Sequence, residues 1–183
     1  MAKTELARFI DRYTIEYVRF YPHPIERVWR AISDPAEMSV WFSRIKFDAE
    51  LGGAYLALWE EPSDFKGVIT AFEPPRLVRF GGPAMHGPAG FWQFELAPVE
   101  GGTRMVFVQH SEPGFWNKPE WPLDPPEPAP DTPWRPGTLG GWHAAFDELG
   151  ERLDGASLPE ERQRERWVEL TEVYREHMRA TMP

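Results

Sequence analysis

The sequence predicts an α+β fold in which a curved antiparallel sheet wraps around one long helix near the C-terminus. Three observations predict it: two short helices directly after a first strand, six short β-like runs separated by turn residues, and a long amphipathic stretch behind them. Connections this short join antiparallel neighbours, because parallel strands need crossovers of about a dozen residues or more.

The elements follow in chain order. After an N-terminal arm, Thr14 to Tyr21 reads as a strand, with Ile15, Tyr17 and Arg19 alternating against Glu16, Val18 and Phe20. Pro24 suits the first turn of a helix, where its missing N–H is not needed, and Ile25, Val28, Trp29 and Ile32 recur on one face. Asp34-Pro35-Ala36-Glu37 has the form of a capping box that starts a second short helix, with Met38, Trp41 and Phe42 as its apolar side. Strand-like runs follow at Arg44 to Asp48, Ala54 to Trp59, Phe65 to Phe72, Leu77 to Phe80, Phe91 to Leu96 and Thr103 to Gln109. Gly52-Gly53, Pro62-Ser63-Asp64, Pro74-Pro75, a Gly/Pro-rich stretch from Gly81 to Gly90 and Glu100-Gly101-Gly102 punctuate them. From about Leu139 to Leu153, Trp142, Ala145, Phe146, Leu149 and Leu153 form one stripe of a long helix. Strand, two helices, six strands and a long helix is the helix-grip order, with a cavity expected between sheet and helix.

Composition narrows the function. The 183 residues fit one domain, and 20 basic against 29 acidic residues give a net charge of -9, which disfavours nucleic acid and anionic membranes. The chain has no cysteine, so disulfides, thiolate catalysis and cysteine-held metals are excluded. Neither a signal-peptide core nor a run of about 20 apolar residues is present, and a soluble cytoplasmic protein without membrane insertion is expected. Nine tryptophans and twelve phenylalanines supply stiff apolar surface for a core or a pocket.

Five segments carry a family resemblance: Pro24 to Phe42, Gly52-Gly53, Gly67 to Pro75 with its Phe-Glu-Pro-Pro end, Gly102-Thr103-Arg104 and Gly141-Trp142. In this order they resemble the Hsp90 ATPase activator homologue branch of the START-like (SRPBCC) superfamily, over residues 13 to 154. The resemblance implies a single START-like domain that binds a small lipophilic or aromatic molecule in the grip cavity. It also brings two alternatives: a polyketide cyclase or dehydratase using the same cavity, and a chaperone-type protein partner.

Two segments depart from that pattern. A proline-dense insertion, residues 112–137, contains Phe115, Trp116, Trp121 and Trp134 and is a candidate lid, since long loops without secondary structure are often binding elements. The extension over residues 157–181 opens with Ser157-Leu158-Pro159-Glu160, a second apparent capping box. It carries Trp167, Leu170, Val173, Tyr174 and Met178 as an apolar stripe. Because Ala54 to Trp59 is apolar on both faces, this helix is expected to cover the outer face of the sheet, on its own subunit or across a homodimer.

Candidate ligand-lining residues are Trp29, Trp41, Trp59, Phe80 and Trp92, together with Phe94, Phe107, Gln109 and Trp142. Gln109 follows Met105 and Phe107 in alternation, so its amide faces inward and could orient a ligand. His143 and Asp147, spaced i, i+4, are the catalytic candidates, since a histidine beside a carboxylate can act as a general base. Arg79 could meet a ligand carboxylate or point to solvent. The histidines are scattered, so neither a metal nor a cofactor is expected. An empty apolar void of about 300 Å³ would cost on the order of 7 kcal/mol at about 24 cal/mol per Å³. The space must therefore hold side chains, water or a ligand.

Overall fold

A computed structural model describes residues 5–58, 64–82, 87–114 and 132–181, apart from the side chains of residues 64 and 65. Its eight strands are β1 (Arg8–Asp11), β2 (Thr14–Tyr21), β3 (Arg44–Phe47), β4 (Ala54–Leu58), β5 (Asp64–Glu73), β6 (Leu77–Gly81), β7 (Phe91–Val99) and β8 (Gly102–His110). They form one antiparallel sheet in the order β1-β2-β8-β7-β6-β5-β4-β3. The helices are α1 (Ile25–Ser33), α2 (Pro35–Met38), α3 (Pro136–Leu153) and α4 (Glu160–Thr181).

The sheet closes around α3 because its inward side chains are large and apolar. Ile15, Tyr17 and Tyr21 of β2, Met105 and Phe107 of β8, Trp92, Phe94 and Leu96 of β7, and Val78 and Phe80 of β6 are all buried. They meet Leu139, Trp142, Phe146, Leu149 and Leu153 on α3. Between β5 and β6 the register slips by one residue after Ile69, a bulge that bends the sheet. Gly67 lies just before this bend. A Cβ there would stand 2.1 Å from the Gly81 carbonyl oxygen, so only glycine lets the two backbones approach this closely.

Local chemistry explains the helix starts. The Asp34 carboxylate accepts the backbone N–H groups of Ala36 (2.8 Å) and Glu37 (3.3 Å), which sets the start of α2. The capping box is not reciprocal, however. Glu37 turns to Arg27 and Arg30 of α1 instead, because two cations attract its carboxylate more strongly than one backbone N–H. At α4 the expected cap is absent: the Ser157 hydroxyl donates to the Leu158 carbonyl, and the buried Glu148 carboxylate of α3 accepts the Leu158 N–H at 3.0 Å.

Two expectations are corrected. The N-terminal arm is partly a strand: β1 pairs with β2 through a tight turn in which the Asp11 side chain accepts Tyr13 N–H (2.7 Å) and Thr14 O–H (3.0 Å). Four residues, three exposed and one half-buried, gave no alternation from which to read it. The C-terminal helix packs on α3, not on the outer face of the sheet. Gly140 allows the contact, and the Trp167 indole donates to the Gly137 carbonyl at 2.9 Å. Leu170, Tyr174 and Met178 are buried, while Val173 stays exposed. The outer sheet face instead carries a mixture such as Arg79, which donates to Gln93 (2.7 Å) and lies over the Phe91 ring.

A Cβ at Gly140 would stand 3.0 Å from the Thr171 backbone nitrogen and 3.2 Å from the Leu170 carbonyl carbon. Gly140→Leu is expected to destabilise the protein by about 1–3 kcal/mol through overpacking. In hydrogen exchange, α4 amides should lose protection before those of β7 and β8. Unchanged α4 protection would show that the helix does not depend on this close approach.

Candidate functional site

One end of the sheet gathers the chemistry-bearing residues. His110 at the end of β8 pairs with both Thr14 and Phe91, so β2 and β7 start there, while β4, β6 and β8 finish there. The segment leaving α2 also arrives at this end, carrying Trp41 and Phe42 into β3.

The space expected to be a cavity is occupied by protein rings. Phe80 stacks on Trp92 at 4.1 Å, Phe107 lies 4.3 Å from Trp142, and Phe94 lies 5.0 Å from Phe107. Phe42, half-buried, stacks on Trp142 at 4.9 Å and contacts Trp92 at 5.2 Å. Tyr55 contacts both Phe80 and Trp92. Two surface depressions of about 520 and 500 Å³ lie elsewhere, one beside Pro22 to Glu26 and the other on α4, and neither enters this interior.

Most of the residues expected from the sequence as ligand-lining meet here. Trp41, Phe80, Trp92, Phe94, Phe107 and Trp142 are buried members of the cluster. Trp29 sits apart, half-buried against Phe72. Trp59, Phe115, Trp116 and Trp121 lie outside the described residues. Trp134 is buried, at 1% exposure, in a segment anchored to the β1–β2 turn by Thr132, whose hydroxyl donates to the Arg12 carbonyl at 2.9 Å. Phe42, Tyr55 and Phe146 complete the cluster. The Trp41-Phe42 pair and the helix stripe were the signals for two of these.

Polar atoms in the cluster are few. Buried Gln109 accepts the Trp142 indole N–H at 2.6 Å, which fixes the helix against the sheet. The Trp92 indole N–H is buried with no acceptor in bonding geometry among the described residues. Tyr55 donates a long 3.5 Å bond to the Gly81 carbonyl, and burial pushes its hydroxyl up to about 12.

The catalytic candidates lie on the other side of α3. His143 is 1% exposed and faces α4, where Nδ1 bonds the Tyr174 hydroxyl at 2.9 Å. Its Nε2 is 3.8 Å from Asp147 Oδ1, and the other oxygen of Asp147 accepts from Arg166 at 3.0 Å. Burial first, then repulsion from the Arg19 and Arg166 cations, lowers the His143 pKa to about 3. The ring is thus neutral at physiological pH. Among the described residues no group of three or more His, Asp or Glu converges as a metal site would require, and no helix is long and apolar enough to cross a membrane.

This pKa has a consequence for stability. Between the unfolded value of 6.5 and about 3, the unfolded chain binds a proton at His143 that the folded protein refuses. Stability therefore falls as pH drops through this window, by up to about 1.4 kcal/mol per pH unit. His143→Gln is expected to flatten the acid limb in urea unfolding at pH 6.5 to 4. An equally steep limb in the variant would assign the acid sensitivity to other groups.

Among solved structures, the fold is similar to that of CalU16 from Micromonospora echinospora, at 20% identity over 94% of this chain and 95% of that one with a TM-score of 0.62. A conserved protein of unknown function from Enterococcus faecalis is similar at 14% identity, 97% and 91% coverage, and a TM-score of 0.68. DynU16, described as a putative protein in the dynemicin biosynthetic locus, matches at 17% identity over 77% of this chain and 47% of that one, with a TM-score of 0.58. No curated protein matches the chain by sequence. Residues 22–154, well over half of the chain and the whole span from the end of β2 through α3, match the sequence model of the "Activator of Hsp90 ATPase homolog 1-like protein" family, and the chain belongs to that START-type family.

Proposed function

We propose that the chain binds a small, flat, hydrophobic or aromatic molecule carrying a hydrogen-bond acceptor, between the sheet and α3, without transforming it. The observation that carries this reading is Trp92: a buried indole N–H whose neighbouring acceptor, the Tyr55 hydroxyl, is not in good bonding geometry, set in a wall of rings that offers an aromatic ligand stacking partners on either side. Phe42 holds the place such a ligand would take. It lies flat on Trp142 and against Trp92, and it belongs to the irregular segment between α2 and β3. Rotation of Phe42 outward would expose the two indoles at this end of the sheet. Trp41, Phe94, Phe107 and Phe80 then form the deeper wall, and the Gln109–Trp142 bond keeps α3 in register while the slot is occupied.

DynU16, a structural relative, belongs by its description to a biosynthetic locus, which is compatible with a ligand of this kind. His143 does not serve as the base of a cyclase in this reading, because its neutral ring is turned toward Tyr174 and away from the aromatic interior.

Phe42→Ala is expected to raise affinity for a planar aromatic probe such as 1-anilinonaphthalene-8-sulfonate by about tenfold, the equivalent of roughly 1.4 kcal/mol. Binding should quench the fluorescence of the tryptophans lining the slot. Trp92→Phe should weaken acceptor-bearing probes more than plain hydrocarbons. Native mass spectrometry of the purified protein supplies the complementary readout. A clean apo mass, together with no probe binding by either wild type or Phe42→Ala, would sink the ligand reading.

A further inference from the structure

The inward side chains of β2 are Ile15, Tyr17, Arg19 and Tyr21, and all four are buried, Arg19 to 6% exposure. The Tyr17 hydroxyl donates to the Leu139 carbonyl (2.8 Å) and the Tyr21 hydroxyl to the Phe146 carbonyl (3.1 Å). Arg19, midway between them on the strand, is thereby held at the level of the α3 turn that carries His143. Its guanidinium carbon lies 5.3 Å from the Tyr17 ring centre and 5.6 Å from that of Phe146.

Ring faces stabilise a guanidinium charge but accept no hydrogen bond from the N–H groups in its plane. Nη1 donates to the carbonyls of Glu5 (3.0 Å) and Val18 (2.9 Å). Nε and Nη2 are buried and make no hydrogen bond in good geometry among the described residues, although the Tyr174 hydroxyl lies close enough to the guanidinium to feel it. Asp147, the nearby acid on α3, is engaged by Arg166. A buried charge without a counter-ion is costly, and a guanidinium cannot shed its proton to escape that cost.

The unused edge has a specific shape. Nε–H and the adjacent Nη2–H point in parallel, the fork that grips the two oxygens of a carboxylate. A second donor lies in the same layer. The Tyr174 hydroxyl accepts the Ala7 N–H at 3.0 Å and so gives its own hydrogen to His143 Nδ1, which leaves the ring proton on Nε2. That nitrogen too is buried without a hydrogen bond among the described residues, with Asp147 Oδ1 at 3.8 Å. The layer therefore holds donors in excess, together with a net cation, which suits an anion better than water.

We propose that the Nε/Nη2 edge of Arg19 is a binding site for a small carboxylate, enclosed by the N-terminal arm, β2, α3 and α4. It is separate from the aromatic interior, with Phe146 as the partition: one contact of that ring is the Arg19 guanidinium, while others are Trp142 and Phe107. The chemistry asks for a planar oxyanion of formate or acetate size, or the carboxylate end of a longer acid.

The test is an NMR titration of the arginine Nε–H signals of the ¹⁵N-labelled protein with sodium formate, against sodium chloride at equal ionic strength. The Arg19 signal, identified by its loss in Arg19→Lys, should shift saturably with formate alone, and the melting temperature should rise with it. Arg19→Lys, which keeps the charge but not the fork, should weaken formate by about tenfold or more. An unmoved Arg19 signal, or the same response to chloride, overturns the proposal. If Arg19→Lys does not fold, signal loss in Arg19→Met or the wild-type response to formate decides it. Formate does not probe the aromatic slot, so this outcome is independent of the ligand reading above.

Discussion

Everything in the interior depends on how one helix is held against a curved sheet, and rings do the holding. Trp142 lies 4.3 Å from Phe107 on the sheet side and is stacked by Phe42 from the α2–β3 segment at 4.9 Å. A buried indole N–H needs an acceptor, and Gln109 provides it at 2.6 Å. That bond fixes the position of α3 along the sheet. Tyr17 and Tyr21 repeat the logic one strand away, each donating to a main-chain carbonyl of α3. Flat side chains bury much area with few rotatable bonds, so the ordering cost per unit of buried surface is low.

The long helix divides the interior into two chemically different layers. Toward β7 and β8 lies the aromatic cluster, with Gln109, Tyr55 and the Trp92 N–H as its polar points. Toward β1 and α4 lies a layer built from Tyr17, Arg19, His143 and Tyr174, in which hydroxyls and cations are shut away from water. The second layer exists because α4 covers it: Tyr174 binds both Ala7 of the arm and His143 of α3, and His177 Nε2 donates to the Ala7 carbonyl at 2.7 Å. Burial there depresses the basicity of His143 and raises the hydroxyl pKa values of Tyr17 and Tyr174.

The two layers also differ in how they relate to the family. The matched residues, 22–154, contain the cluster residues of α3, β7 and β8, whereas Tyr17 and Arg19 precede the match and Tyr174 follows it. The aromatic interior is thus built within the shared scaffold, and the polar layer is assembled largely from elements at either flank of it. The slot proposed for a flat hydrophobic molecule lies in the matched span, and the carboxylate site proposed at Arg19 draws mainly on the segments that flank it.

The sequence by itself determined the order of elements from Thr14 to Leu153, because turn residues and alternation are local properties that neighbouring residues impose on one another. It also determined that aromatic residues would fill or line the grip. It did not reveal β1, whose four residues become a strand only by pairing with β2, nor that Glu37 would leave its expected cap for two arginines of α1 and that Glu148 of α3 would take the Leu158 N–H before α4. The tertiary structure alone decided that α4 covers α3, because Gly140 admits the close approach and a stripe on a helix does not say which surface it meets. It decided that His143 faces Tyr174 and that Arg19, an ordinary inward position of an alternating strand, is buried between two rings with its fork unmatched. Periodicity assigns a residue to a face; only packing decides whether that face meets water, a ring or a charge.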